Sequence, residues 1–460
     1  MSYQTVNPAT GEQLRNFAEI AGSDLEAAIS QAETCSQAWR TVDFARRAEL
    51  VAAVAFLMEA QVDELARLAT TEMGKLFAQA QGEVLLSASI LSYYAKNAER
   101  FLSTERLDVA DGTARVENSP LGILFGVQPW NFPYYQLARF VAPNLMAGNV
   151  VMVKHASSVP QCALAFEDLF RQAGAPAGLY TNLFLSYDQV NAMIDDPRIK
   201  GVALTGSSGA GKSVAARAGQ NLKKSTMELG GSDPFIVLSD ADLDKTLQWA
   251  MVAKMNNNGQ SCIAGKRFIV DASIADSFLQ RFTTEMSALV PGDPMDGTTT
   301  LGPMSSEAAL VTLEEQVDAA VQAGAKVITG GQRLDRPGSF FAPTILTDIA
   351  PDNPAYLQEF FGPVALFFSA ADDDDAVRLA NDSEFGLGCS IFTTDVERGD
   401  RLAGQIESGM VFINHPTWTA ADLPFGGVKT SGYGRELSAA GIQEFVNKKL
   451  VRVRPIDAPA

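Results

Sequence analysis

The feature that most limits what this chain can fold into is a regular alternation of short apolar runs with helical stretches, starting at residue 121. Residues 121–127 (LGILFGV) are a continuous apolar run of the kind buried on both faces of a sheet. Residues 133–146 carry a helical pattern, 149–154 (NVVMVK) a second strand, and 158–173 another helix. Further strands fit 181–185, 201–205 and 225–229, with helical segments between them. Strands joined through helices form a parallel sheet covered on both faces, whose sites lie at the carboxyl ends of the strands.

The pattern then restarts. Strands fit 234–238, 267–270, 326–328, 364–368, 390–393 and 410–414, and helices fit 242–256 and 274–289. This predicts a second α/β unit, with the boundary near 228–232. Upstream, 23–103 reads as mainly helical: Ser23 is a candidate cap, 46–69 a second helix and 75–102 a third. The Gly/Pro/Thr-rich stretch 292–303 reads as a surface loop, and the acidic run 372–375 as a solvated helix start. A length of 460 residues accommodates two to three domains. The net charge of −18 argues against nucleic acid or an anionic membrane as partner. The 4 cysteines are far apart without a CxxC pair, and with only 2 histidines no metal site is expected. The first residues lack a signal pattern and no apolar run approaches membrane-spanning length, so a cytoplasmic protein with reduced thiols is expected.

Two motifs compete for the function. Residues 206–213 (GSSGAGKS) match the phosphate-binding G-x-x-x-x-G-K-[ST] string, after a predicted strand and at the start of a helix. Against a P-loop nucleotidase, the string follows several strands of its domain, and no apolar strand ending in Asp is placed downstream to support Mg²⁺. The other motif is residues 257–267 (NNGQSCIAGKR): a cysteine in a turn rich in Gly, Asn and Ser, between a helical pattern and the β-like run 268–270. A lone cysteine is commonly a small buried hydrophobe, so its company decides.

That company is Pro129-Trp130-Asn131-Phe132-Pro133, the strand-end Lys154, Thr205-Gly206-Ser207 with Gly211, and Glu228-Leu229-Gly230-Gly231. It continues with Gly259-Gln260-Ser261-Cys262, Glu359-Phe360-Phe361-Gly362-Pro363, Pro424-Phe425-Gly426-Gly427, Ser431-Gly432 and Gly434-Arg435-Glu436. In this order, over essentially the whole chain, the set resembles the aldehyde dehydrogenase superfamily. The resemblance implies an α/β fold of two doubly wound domains. A variant Rossmann cofactor domain would span 1–102 and 119–228, and a catalytic domain 229–440. A small β oligomerisation arm would comprise 103–118 and 441–460, pairing between subunits in a homodimer or homotetramer.

The resemblance also assigns roles. Cys262 attacks the aldehyde carbonyl to give a thiohemiacetal. The side-chain amide of Asn131 and the backbone N–H of Cys262 hold the developing oxyanion. After hydride transfer leaves a thioester, Glu228 activates water to hydrolyse it; at the end of an apolar strand its pKa should be raised towards that of a useful base. Thr205, Gly206, Ser207 and Gly211 cradle the pyrophosphate at a helix N-terminus. Lys154 meets the adenine ribose, Glu359 the nicotinamide ribose, and Phe361 flanks the nicotinamide; Pro129, Trp130, Leu229 and Gly230 complete the cofactor site.

Three positions define this chain within that pattern. Ser157 stands where NAD-selective relatives carry a Glu, so NADP should be accepted and preferred, with NAD as the alternative; Tyr187 is a candidate adenosine neighbour. Phe140 stands where many members have a Lys paired with a Glu near the C-terminus, while Glu436 remains, so the usual proton exit is in question. Arg139 stands where the succinate-semialdehyde branch has an Arg for the substrate's distal carboxylate, a bidentate match; a structural ion pair is its other reading. Tyr135, Trp130, Trp418 and Thr419 are candidate tunnel residues. The expected reaction is oxidation of succinate semialdehyde to succinate with NAD(P)+, and the alternatives are a broader aliphatic aldehyde dehydrogenase or the P-loop nucleotidase.

Overall fold

The structure, a computed structural model, describes residues 3–457; the ends of the expected segments at 1–2 and 458–460 lie outside the described residues. The alternation in the sequence becomes two separate sheets. The first has 6 strands in the spatial order Gly432–Tyr433, Lys224–Glu228, Ile199–Thr205, Ile123–Gln128, Val150–His155, Tyr180–Asn182. All neighbours are parallel except Gly432–Tyr433, which runs antiparallel to Lys224–Glu228. The edge of the first sheet is therefore completed by chain from far beyond the expected boundary. The second sheet has 7 strands around a parallel centre, Asp233–Val237 beside Gly265–Asp271 and Gly388–Phe392. Its edge strand Lys326–Thr329 is antiparallel to Thr344–Thr347, a strand that the sequence reading did not place.

Hydrophobic burial explains these layers. Val150 to Val153 and Leu124 to Phe125 are fully or almost fully buried between helices on both faces of the first sheet. Two further apolar clusters cover the opposite faces of the second sheet, one built on Ile236 and Ile269 and the other on Phe235 and Phe268. Alternate residues of the same strands feed opposite faces, as a period of two requires.

Several boundaries differ from the reading. The first helix, Gly22–Trp39, begins before Ser23 and is flanked by Ala21 with no side-chain cap. The stretch 46–69 is two helices, Phe44–Ala60 and Val62–Met73, because the backbone turns at Gln61 (φ −110°, ψ 23°). An N-terminal hairpin, Tyr3–Asn7 with Glu12–Phe17, was not foreseen. The stretch 292–303 is not wholly a surface loop: its end is buried, because Gly302 N–H donates to Asn258 and Asn258 donates back to the Pro303 carbonyl. The acidic run does start a helix, Asp373–Asn381, capped by Asp372. The arm forms a 3-stranded antiparallel sheet of Glu105–Leu107, Thr113–Pro120 and Val446–Val453.

Candidate active site

The cysteine turn is held by side chains more than by regular structure. After the helix Leu243–Met255, Asn257 (φ 55°), Asn258 (φ 55°) and Gly259 (φ 78°) are consecutively left-handed, a conformation that Asn tolerates and Gly adopts freely. Asn257 donates through its side chain to the carbonyls of Asn131 (2.8 Å) and Gln260 (3.0 Å). The side-chain oxygen of Gln260 accepts from Ser305 N–H at 2.8 Å. Gly259 lies so close to the Gly362 carbonyl that any Cβ would collide with it. The glycines of two distant motifs thus meet backbone to backbone, and the chain turns sharply to present Cys262.

Cys262 lies where two cavities meet. One, about 330 Å³, is lined by Gln79, Gly82, Glu83, Leu86, Phe132, Tyr135, Gln136, Asn256, Ser261, Cys262, Ile263, Trp418, Thr419 and Phe425. The other, about 270 Å³, is lined by Pro129, Trp130, Asn131, Gln136, Thr205, Gly206, Ser207, Leu229, Gly230, Cys262, Glu359 and Phe361. Burial pushes the Cys262 thiol up to about 12, against the pull of Arg139 and Lys266. The resting group is a neutral thiol that needs a base or a bound cation to become a nucleophile.

The other expected participants flank it. Asn131 is 4% exposed, and its side-chain oxygen accepts from Gln136 at 3.3 Å. That contact fixes the amide so that its NH₂ faces the cysteine turn, where it donates to the Gln260 carbonyl at 3.3 Å. Glu228 ends the strand Lys224–Glu228, is 2% exposed, and neither carboxyl oxygen accepts a hydrogen bond from any described residue. Its pKa is raised well above the ordinary carboxylate range by burial; Arg139 pulls it down and Glu436 pushes it up. A carboxylate without bound donors, its pKa raised by burial, suits a general base. Glu228 lines neither cavity itself, whereas its neighbours Leu229 and Gly230 line the second.

The second cavity has the construction of a nucleotide cleft. Ser207 caps the helix Ser208–Gln220, accepting from Ala210 N–H at 3.3 Å, and Gly206 and Ser207 line the cavity, so the positive helix end adjoins it. Gly211 packs on Leu229, where a Cβ would come within 2.5 Å of a methyl group. Glu359 receives Gly231 N–H at 3.0 Å, and Phe361 stands edge-on to Trp130 with ring centroids 5.7 Å apart. The family model described as the aldehyde dehydrogenase family matches residues 1–451.

The chain belongs to the aldehyde dehydrogenase family.

A succinate-semialdehyde dehydrogenase [NADP(+)] of Deinococcus radiodurans is 50% identical over 98% of this chain and 95% of its own length. A succinate-semialdehyde dehydrogenase [NADP(+)] 1 of Mycobacterium tuberculosis is 48% identical over 98% of this chain and 99% of its own. The crystal structure of succinic semialdehyde dehydrogenase from Streptococcus pyogenes with NADP+ superposes with a TM-score of 0.97, at 43% identity, covering 98% of this chain and 100% of that one.

In this aldehyde dehydrogenase, Arg139 forms the structural ion pair that was its other reading and does not line the aldehyde cavity. It is not on the wall of the aldehyde cavity but behind that wall, 1% exposed, with its guanidinium between the rings of Tyr135 (5.0 Å) and Phe425 (4.7 Å). Its charge is answered by an ion pair with Glu436. Burial opposes the charged form; Glu436 and Tyr135 more than compensate, so the guanidinium stays ionised. Its remaining donors reach Tyr135 Oη at 3.2 Å and Thr205 Oγ1 at 3.1 Å, one residue on each cavity wall. Phe140, one position on, points the other way, against Gly126 and edge-on to Phe445. So Glu436 does keep a basic partner, but an Arg that cannot pass a proton on.

Tyr135 and Thr419 share a hydrogen bond of 2.7 Å on the aldehyde cavity, and Trp418 lines it too, whereas Trp130 lines only the cofactor side. Lys154, next to last in the strand Val150–His155, is 7% exposed, with its amine over Tyr3, and burial lowers its pKa to about 8. Ser157 lies on a separate groove beside Gln4 and Arg336, and Tyr187 stands exposed at a helix start, lining neither central cavity. The sequence reading missed the buried pair Lys75–Glu83. Glu83 accepts from Tyr134 N–H (2.8 Å) and Tyr135 N–H (3.2 Å), capping the helix Pro133–Met146 that carries Tyr135, Gln136 and Arg139. A Lys and a Glu at separation 8 in a region read as plain helix were the available signal. Among the described residues no cluster of His, Cys, Asp and Glu is arranged to hold a metal, and no helix is long and apolar enough to cross a membrane.

Proposed function

We propose that this chain oxidises succinate semialdehyde to succinate with NADP+. The observation that carries the reading is Cys262 at the junction of a short aldehyde cavity and a nucleotide cleft, with the Asn131 amide turned towards its turn. Cys262 loses its Sγ proton to solvent and the thiolate adds to the aldehyde carbon while Asn131 and the Cys262 N–H stabilise the oxyanion, an interaction worth about 3 kcal/mol per donor in such sites. Bound in the cleft, NADP+ accepts the hydride. The acyl group is then a thioester on Cys262, and Glu228, swinging out from beneath Gly426, takes a proton from the hydrolytic water.

Two features support the substrate and the cofactor. Arg139 donates into the phenol oxygen of Tyr135, so the phenol proton must point outward, to Thr419 or to an anion in the cavity. The distal carboxylate thus meets a hydroxyl pair backed by a buried positive charge, rather than the guanidinium itself. Ser157 in place of a carboxylate removes one charge that would repel a 2′-phosphate. The relatives named above carry the same substrate and cofactor in their names. Exposed Leu450 and Val453 on the arm suit pairing with a second copy in a homodimer or homotetramer, in the cytoplasm. A panel of aldehydes run with NADP+ and NAD+ tests the reading. The highest kcat/KM is expected for succinate semialdehyde with NADP+, and a preference for an uncharged aldehyde or for NAD+ rejects it.

A further inference from the structure

Lys266 heads the strand Gly265–Asp271 and is completely buried. A buried lysine on a strand start is costly unless its donors are used, and here each one is. Nζ donates to the Ser261 carbonyl at 2.7 Å and to the Cys262 carbonyl at 2.9 Å, and pairs with Glu359 Oε1 at 3.1 Å. The Ser261 carbonyl and the Cys262 N–H belong to one rigid peptide plane. A cation on that oxygen therefore fixes the direction of the N–H and polarises it. Glu359 in turn lines the nucleotide cleft and is held by Gly231 N–H.

We propose that Lys266 is a positioning residue for the aldehyde chemistry, clamping the Ser261–Cys262 peptide so that the Cys262 N–H faces the reacting carbonyl oxygen, and tying that peptide to Glu359 on the cofactor side. This rests on Cys262 being the nucleophile. The charged groups around the thiol are Arg139 from the helix Pro133–Met146, Asp233 at the start of its strand, Glu359 and Lys266; Lys254 on the preceding helix faces Lys266. Arg139 and Lys266 favour the thiolate, while Glu359 and Asp233 oppose it.

The test uses Lys266→Met and Lys266→Gln in the full chain, with Cys262→Ala as control. Acylation of Cys262 by p-nitrophenyl acetate, which needs no cofactor, should fall roughly tenfold to a hundredfold in Lys266→Met, with a parallel fall in kcat for the aldehyde and little change in KM. The pH midpoint of iodoacetamide alkylation at Cys262 should rise by about one unit in both variants, since each loses the cation. Lys266→Gln keeps one N–H···O=C contact and should retain more acylation rate than Lys266→Met. A lower melting temperature with unchanged acylation and unchanged alkylation midpoint would mean a purely structural lysine and overturn the proposal. Cys262→Ala separates the two ideas. If it stays active, the nucleophile assignment fails; if it is dead while both Lys266 variants behave as wild type, only the Lys266 proposal fails.

Discussion

The two cavities that meet at Cys262 are built on different rules. The nucleotide cleft combines small residues at strand ends and a helix cap, Thr205, Gly206, Ser207 and Gly230, with the larger Trp130, Leu229, Glu359 and Phe361. The aldehyde cavity is walled by side chains from places distant in sequence: Gln79 and Leu86 from one helix, Phe132 and Tyr135 near the start of another, Trp418 and Phe425 from near the C-terminus. Each has a buried cation paired with a carboxylate, Lys266 with the half-buried Glu359 and Arg139 with the buried Glu436. Lys266 spends its donors on backbone carbonyls of the cysteine turn, and Arg139 on hydroxyls of the cavity walls. The cofactor side thus holds the nucleophile's backbone in place, and the aldehyde side tunes what the nucleophile meets.

Asn131→Ala tests what the cavities share and should have the largest effect. It removes an oxyanion donor, so kcat should fall about 10²–10³-fold for succinate semialdehyde and for butanal alike. A loss for one aldehyde only would place Asn131 in substrate recognition.

Arg139→Met should act chiefly on the aldehyde side. KM for succinate semialdehyde should rise roughly tenfold or more while that for butanal changes little, because the anchor for a distal carboxylate is weakened. The variant also leaves Glu436 buried without its partner, which should cost about 3–5 kcal/mol of stability, read by denaturant titration. Arg139 lowers the Glu228 pKa that burial has raised. Removing it should therefore move the rising limb of the pH profile of kcat/KM to higher pH. A shift to lower pH, or equal KM changes for the two aldehydes, would break the contrast between the two sides.

Ser157→Glu should be the mildest and confined to the cofactor side. KM for NADP+ should rise roughly tenfold through repulsion of the 2′-phosphate, screened by solvent, with KM for NAD+ unchanged or lower. An unchanged NADP+ preference would place the 2′-phosphate away from Ser157.

The same contrast explains what the sequence disclosed. Gly259, Asn131 and Glu228 were legible because close backbone approach and strand-end placement allow few residue types at fixed spacing. Arg139 was visible as a charge, but its partner was not. Whether position 139 or 140 faces Glu436 depends on the phase of one helix relative to a segment about 300 residues away, and one step along a helix turns a side chain by about 100°. Lys266 is not marked by the sequence because the β-like pattern starts at 267, whereas the strand starts at Gly265. Two basic residues heading a strand buried over most of its length were the clue that buried acceptors must exist. Loop 292–303 looked solvated by composition, yet its end is pinned by Asn258, a contact that no local pattern encodes.

The central claim is that one thiol carries the acyl group and that Glu228 releases it. Glu228→Gln, given succinate semialdehyde and NADP+, should produce a burst of one NADPH per chain and then nearly stop. Intact-mass and peptide analysis should find one succinyl group on Cys262, absent from Cys262→Ala. Continuous turnover of Glu228→Gln at the wild-type rate, or a chain that turns over without ever carrying the acyl group on Cys262, would contradict the account.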